Sequence, residues 1–269
     1  MWPSSRINST EASSAQKRCQ CSPYLSHTLL TQADSLSWES TYATELTNNT
    51  SNPSDIGMVW FSDSNAEEKI LSYLETLTIK PGTGDRNNTP AAAERTDIRI
   101  LDLGTGNGHL LFALRDAGWK AEMVGVDYSV KSVELASQIQ RSRYLGEDIH
   151  FVEWDIFEET APGKWPWGGE VFDIVLDKGT FDAVGFMDGE EDRCKLYARV
   201  ACSLVKEGGY LLVTSCNWTE GELKWWFDVE GLQYYDTIRS RKFTFGGVEG
   251  QTISSVCFKR LSMFEDENL

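Results

Sequence analysis

The chain has 269 residues, and its 25 Lys and Arg stand against 41 Asp and Glu, a formal net charge of −16. A surface this acidic repels polyanions and excludes a sequence-independent grip on nucleic acid. Hydrophobic residues make up 41% of the chain, enough for a sizeable core, yet no run of 18 apolar residues exists to cross a membrane.

Residues 1–33 are rich in Ser, Thr and Gln, lack any apolar period and read as a disordered tail. Arg6, Lys17 and Arg18 against one acid, Glu11, leave a mitochondrial transit peptide open, but no amphipathic stripe accompanies them. No secretory signal is legible, so the six cysteines are expected as reduced thiols in a cytoplasmic protein. Cys19 and Cys21 have no second pair and no His at zinc spacing, so no metal is expected.

Order begins near Ser35, where Trp38, Tyr42 and Leu46 form a helix stripe. A second helix follows Ser64, Asn65, Ala66 and Glu67, a capping-box pattern, with Ile70, Leu71, Leu74 and Leu77 on one face. Residues 34–80 thus form an N-terminal helical lobe, and 81–96 have the composition of a loop insertion. From residue 98 to about 260, strand and helix alternate. The strands are expected at 98–103, 123–126, 149–154, 171–176 and 210–214. Helices fill 107–117, a segment capped by Ser129, residues 191–206 stopped by Gly208 and Gly209, and a segment opened by a second capping box at Thr219 and Glu222. A Gly, Pro and Trp loop spans 158–170. The last two strands, about 242–245 and 252–258, flank a turn at Gly246 and Gly247. The alternation predicts an α/β fold in one domain over 34–269. Its sheet is mostly parallel, with helices on both faces and an antiparallel C-terminal hairpin.

The informative stretch runs Ile100, Leu101, Asp102, Leu103, Gly104, Thr105, Gly106, Asn107, Gly108, where a strand passes into a helix. Glycines there let the backbone turn tightly and approach a ligand, and the helix N-terminus beyond favours an anion. Asp127 ends the second strand, 23 residues after Gly104, where an acid can accept from a ribose diol or cap the next helix. Asp155 ends the third strand and could accept from an adenine amino group while Ile156 packs on the ring; a solvated turn acid is the alternative. A nicotinamide site prefers G-x-G-x-x-G, but His109 stands where its third glycine belongs, and no Tyr-x-x-x-Lys pair exists.

The Asp-x-Gly-x-Gly-x-Gly order resembles motif I of the class I S-adenosylmethionine-dependent methyltransferases. The resemblance implies a Rossmann-like seven-stranded sheet whose final strand inserts between the fifth and sixth. It implies that Asp102, Gly104, Thr105, Gly106, Asn107 and Gly108 hold the methionine part of S-adenosyl-L-methionine. Asp127, with Tyr128 and Ser129, would hold the ribose; Asp155 and Ile156 would meet the adenine.

Nucleic-acid methylation signatures are absent: there is no Asn/Asp-Pro-Pro-aromatic and no Pro-Cys. Instead the run Asp177, Lys178, Gly179, Thr180, Phe181, Asp182, Ala183 resembles that of the seven-strand lysine methyltransferases acting on translation elongation factor 1-alpha in fungi and animals. Further blocks at 37–46, 55–61, 212–219 and 243–248 resemble the same family. It implies a protein substrate with a basic surface and transfer to a lysine amine. Asp177 is then the candidate catalytic carboxylate beside the cofactor, unless it pairs with Lys178 or caps the backbone. Lys178 and Thr180 join the substrate side, with Lys178 orienting an acid. Trp60 and Phe61 would wall the lysine channel or serve as ordinary core aromatics. The acids among residues 187–192 suit a basic substrate, or form a solvated face. A monomer without metal, membrane or nucleic acid is expected. A small-molecule N- or O-methyltransferase and a non-catalytic cofactor-binding module stay open.

Overall fold

The structure is a computed structural model describing residues 35–77, 97–157, 169–187, 189–239, 243–245, 248–250 and 253–262. The tail at 1–33, the loop at 81–96, most of the loop at 158–170, and Asp188 lie outside the described residues.

In chain order the elements are α1 (Ser35–Ser51), a 3-10 turn (Ser62–Ser64), α2 (Ala66–Leu74), β1 (Arg99–Leu103), α3 (His109–Asp116), β2 (Glu122–Asp127), α4 (Val130–Arg143) and β3 (Ile149–Glu153). There follow β4 (Phe172–Lys178), α5 (Thr180–Val184), α6 (Glu190–Leu204), β5 (Val205–Ser215), α7 (Glu220–Trp226), β6 (Leu232–Ile238), β7 (Phe243–Phe245), β8 (Val248–Gly250) and β9 (Ser254–Arg260). The main sheet has seven strands in the order β3-β2-β1-β4-β5-β9-β6. β9 alone is antiparallel to its neighbours, inserted between β5 and β6.

Side chains alternate across this sheet and build two cores. Leu101, Leu103, Val175, Leu211 and Val213 face α5, α6 and α7. Ile100, Ile174, Leu176, Tyr210 and Leu212 face α1, α2, α3 and α4. In the first core the fully buried Phe181 ring lies 4.9 Å from Phe227, 5.6 Å from Tyr197 and 5.9 Å from Trp218, centroid to centroid. Truncating such a ring costs about 3–5 kcal/mol. It anchors α5, and with it the turn that follows β4.

Three local expectations are corrected. The sixth strand is 232–238, not 242–245, which pairs with β8 as a separate ribbon. As an edge strand it leaves Tyr234 and Tyr235 exposed, so no inward-outward apolar alternation marks it. Gly208 and Gly209 do not stop α6: they lie inside β5, opposite a register shift in β4, with Gly208 at φ +78°. The capping box expected before α2 does not form. Asn65 takes the N-cap position in the left-handed region without a side-chain cap, and Glu67 turns to a tertiary partner. The box at Thr219 and Glu222 is complete, and Ser129 caps α4 through the Ser132 N–H.

From β1 the chain winds outward to β2 and β3, and returns to β4 on the other side. The crevice beyond the carboxyl ends of β1 and β4 is therefore a topological switch point, where open α/β sheets bind ligands.

Candidate active site

The glycine loop closes this crevice. Gly104, Gly106 and Gly108 have φ of +65°, +58° and +78°, a region that suits glycine, and each lies against a side chain that a Cβ would strike. Thr180 covers Gly104, and Tyr42 covers Gly106, where a Cβ would stand 2.6 Å from the phenol oxygen. The loop is bound to its neighbours: Thr105 N–H donates to Val126 O at 2.9 Å, and Ser132 Oγ donates to Gly106 O at 2.7 Å.

Asp127 is buried at the end of β2. One carboxylate oxygen accepts the Gly106 N–H at 3.0 Å, the other the Ser129 N–H at 2.9 Å. Asp127 also lines the larger cavity, where a carboxylate can accept from a ribose hydroxyl. Burial raises its pKa, against the hydrogen bonds that favour the charge. Asp102, also buried, has its pKa pushed up to about 7 by burial, with Lys178 opposing.

The crevice holds two adjoining cavities. One of about 110 Å³ runs from Asp127 and Tyr128 past Gly104 and Lys178 to Asp182, Phe186 and Asn217. The other, about 30 Å³, lies between the glycine loop, Asp102, His109 and Lys178. Tyr42, Trp60, Gly104 and Lys178 line both. The donor set fits an adenosyl amino acid, with acids for the ribose and the ammonium and an apolar arm beyond. The space falls below the ~300 Å³ at the small end of ligand pockets, so admission requires the cover to move. That cover is α1 and residues 56–61. Glu39 accepts the Ser129 hydroxyl at 2.5 Å, and Asn107 donates to Ile56 O at 2.7 Å and Met58 O at 3.1 Å.

Phe61, at φ +60°, is one of two non-glycine residues with positive φ among those described, and its ring lies over Gly179. Trp60 touches it edge-on, centroids 6.3 Å apart, and meets Trp38 at 5.1 Å. Strain of this kind, of order 1–3 kcal/mol, persists where surroundings enforce it.

Asp177 does not face this arm. It is buried and accepts Thr180 N–H at 3.0 Å, Phe181 N–H at 3.1 Å and the Tyr197 hydroxyl at 2.6 Å, capping α5. Burial pushes its pKa to about 7. The geometry gives it the backbone-cap role left open above, because the turn after β4 needs its orphan N–H groups satisfied. The carboxylate of this run that does line the cavity is Asp182, held by the Ser215 hydroxyl and by Cys216 N–H at 2.8 Å. Asp182 lies five residues after Asp177, inside α5, and only the fold reveals which of the two acids points inward. Lys178 donates to Trp60 O at 3.2 Å and lies 3.4 Å from Glu67. Thr180 donates to Leu103 O at 2.7 Å. Asp155 accepts the Phe157 N–H at 2.8 Å in a local turn and Ile156 packs on the core; neither lines a cavity described here. Tyr42, Glu39, Glu67 and Asn217 were not legible as site residues, because nothing in their local pattern points at the loop they reach.

Comparison with known proteins agrees with this geometry. A methyltransferase-domain family matches residues 94–251. Protein-lysine N-methyltransferase EFM4 of Saccharomyces cerevisiae is 40% identical over 226 residues, covering 82% of this chain and 91% of that one. EEF1A lysine methyltransferase 2 of Homo sapiens is 28% identical over 225 residues, covering 83% and 84%. Among solved structures, a TehB-like SAM-dependent methyltransferase from Corynebacterium glutamicum superposes with TM-score 0.51 at 14% identity, covering 82% of this chain and 97% of that one; it shares the fold.

Proposed function

Because this chain belongs to the protein-lysine N-methyltransferases of the seven-strand class I fold, we propose that it moves a methyl group from S-adenosyl-L-methionine to a lysine of translation elongation factor 1-alpha. One observation carries the reading: a single crevice joins the acids Asp102 and Asp127 to an aromatic arm that ends at a carboxylate, Asp182. The substrate rests on the human relative named for EEF1A. The enzyme acts as a cytoplasmic monomer on a basic protein surface, with residues 34–269 as one domain and the acids near Glu191 steering the substrate.

When bound, the cofactor supplies a sulfonium methyl. Asp127 would hold the ribose hydroxyls, and the glycine loop and Asp102 would hold the amino-acid end. Trp60, Phe61 and Phe186 strip water from the incoming amine, which lowers its pKa from about 10.4 and frees its lone pair. The same walls would confine the amine beside the cofactor's methyl group, as in-line transfer requires. Asp182, which lines the arm, would stabilise an ammonium held there. Asp177 positions rather than reacts: it fixes the turn that carries Lys178, Gly179 and Thr180.

The test uses methyl-labelled S-adenosylmethionine and a host extract from cells lacking this chain. Label on elongation factor 1-alpha, lost with Gly106→Arg, supports the proposal. Label on another protein would overturn the substrate; label on small molecules alone would overturn the class.

A further inference from the structure

The mechanism above leaves one buried constellation unused. Glu67, on α2, sits between two basic side chains. Its Oε2 lies 2.6 Å from His109 Nδ1 and its Oε1 lies 3.4 Å from Lys178 Nζ. Side-chain exposure is 13% for Glu67 and 12% for Lys178, so water screens the pair poorly. Burial works against the Glu67 charge, but His109 and Lys178 together hold its carboxyl below the usual range. The carboxylate is thus fixed as an anion between the two basic groups. Lys178 also donates to Trp60 O at 3.2 Å.

Lys178, His109 and Asp102 all line the smaller cavity. That cavity therefore offers an ammonium, Lys178, and a carboxyl group, Asp102, the pair that complements a zwitterionic amino acid. Lys178 also lines the larger cavity, so it stands where the two meet.

We propose that Lys178, held by Glu67 and His109, is the receptor for the α-carboxylate of the cofactor, while Asp102 takes its α-ammonium. The assignment rests on the methyl-transfer reading and moves Lys178 from the protein-substrate side to the cofactor side. Lys178 is then a specificity-determining residue. It selects a nucleoside that carries an intact amino acid over one that lacks the carboxylate.

The experiment compares equilibrium binding of S-adenosylmethionine and decarboxylated S-adenosylmethionine to the full chain by titration calorimetry. The two differ only in the carboxylate. Wild type prefers S-adenosylmethionine by about tenfold or more, the scale of one charge-assisted hydrogen bond. Lys178→Gln, which keeps a donor for Trp60 O, and Lys178→Met both reduce that preference to near unity by weakening only the carboxylate-bearing form. Lys178→Arg retains it. A purely structural Lys178 would weaken both nucleosides equally, and that result overturns the assignment. So does a wild-type enzyme that does not discriminate, which needs no variant to fold. Failure to bind either nucleoside would instead overturn the methyl-transfer reading on which the assignment rests.

Discussion

Asp127 Oδ2 accepts the Gly106 N–H at 3.0 Å, so the acid at the end of β2 and the glycine loop after β1 form one unit. The bond fixes the loop from one side while Tyr42 covers it from the other. Gly106→Ala must hold an alanine at φ +58° with its Cβ 2.6 Å from the Tyr42 oxygen. The left-handed conformation alone costs about 1–2 kcal/mol. The variant is expected to melt some 2–8 °C lower and to bind S-adenosylhomocysteine at least about tenfold more weakly. Unchanged affinity in calorimetry would remove the loop from the site.

The burial of Asp102 sets a pH dependence. With its pKa pushed up to about 7, the free protein keeps a proton there that the unfolded chain loses near 4. From this group, fold stability is full below about pH 4 and declines as pH rises to 7. Cofactor binding runs the other way, because the α-ammonium needs the ionised carboxylate. Affinity for S-adenosylhomocysteine should strengthen from pH 6 to 8, by at most about tenfold per unit below 7, then level off. Asp102→Asn should bind weakly at every pH. A wild-type profile as flat as that of the variant contradicts the assignment.

Asp182 and Asp177 separate chemistry from support. Asp182→Asn removes the charge that lines the arm and leaves the Cys216 N–H an acceptor. It should lower kcat by about 10²-fold with little change in cofactor Kd, the scale for losing one electrostatic stabiliser. Asp177→Ala leaves Thr180 N–H, Phe181 N–H and the Tyr197 hydroxyl without their acceptor, so it should cost at least about 3 kcal/mol of stability. Circular-dichroism melts and initial rates on both variants check the pair. A folded, stable, inactive Asp177→Ala would restore Asp177 as the reacting group.

The cover over the crevice is expected to limit how fast the cofactor arrives. Glu39 fastens α1 to the start of α4 through the Ser129 hydroxyl and, at 3.3 Å, the Lys131 N–H. Glu39→Ala should therefore bind S-adenosylhomocysteine with a faster association rate, followed by stopped-flow tryptophan fluorescence. Trp38 and Trp60 lie in the moving contact. An unchanged association rate would mean that the crevice opens by another route.

What could be read from the chain before its fold was local chemistry. The glycine run, Asp127 at a strand end and the Thr219 capping box each announce themselves within a few residues. Glu67 has the spacing of a capping acid, but a buried pairing with His109 and Lys178 outweighs a cap worth about 1 kcal/mol. β6 is an edge strand with outward tyrosines, so its apolar pattern is weak. Asp177 and Asp182 are five residues apart in one motif. Which of them meets the cavity depends on Tyr197 and Ser215, side chains brought in from α6 and β5.

The decisive experiment incubates purified, unmethylated elongation factor 1-alpha with this chain and S-adenosylmethionine and maps every lysine by peptide mass spectrometry. Wild type should place methyl groups on lysine and Gly106→Arg none. An unmodified elongation factor, with an enzyme shown to bind the cofactor, would contradict the proposed function.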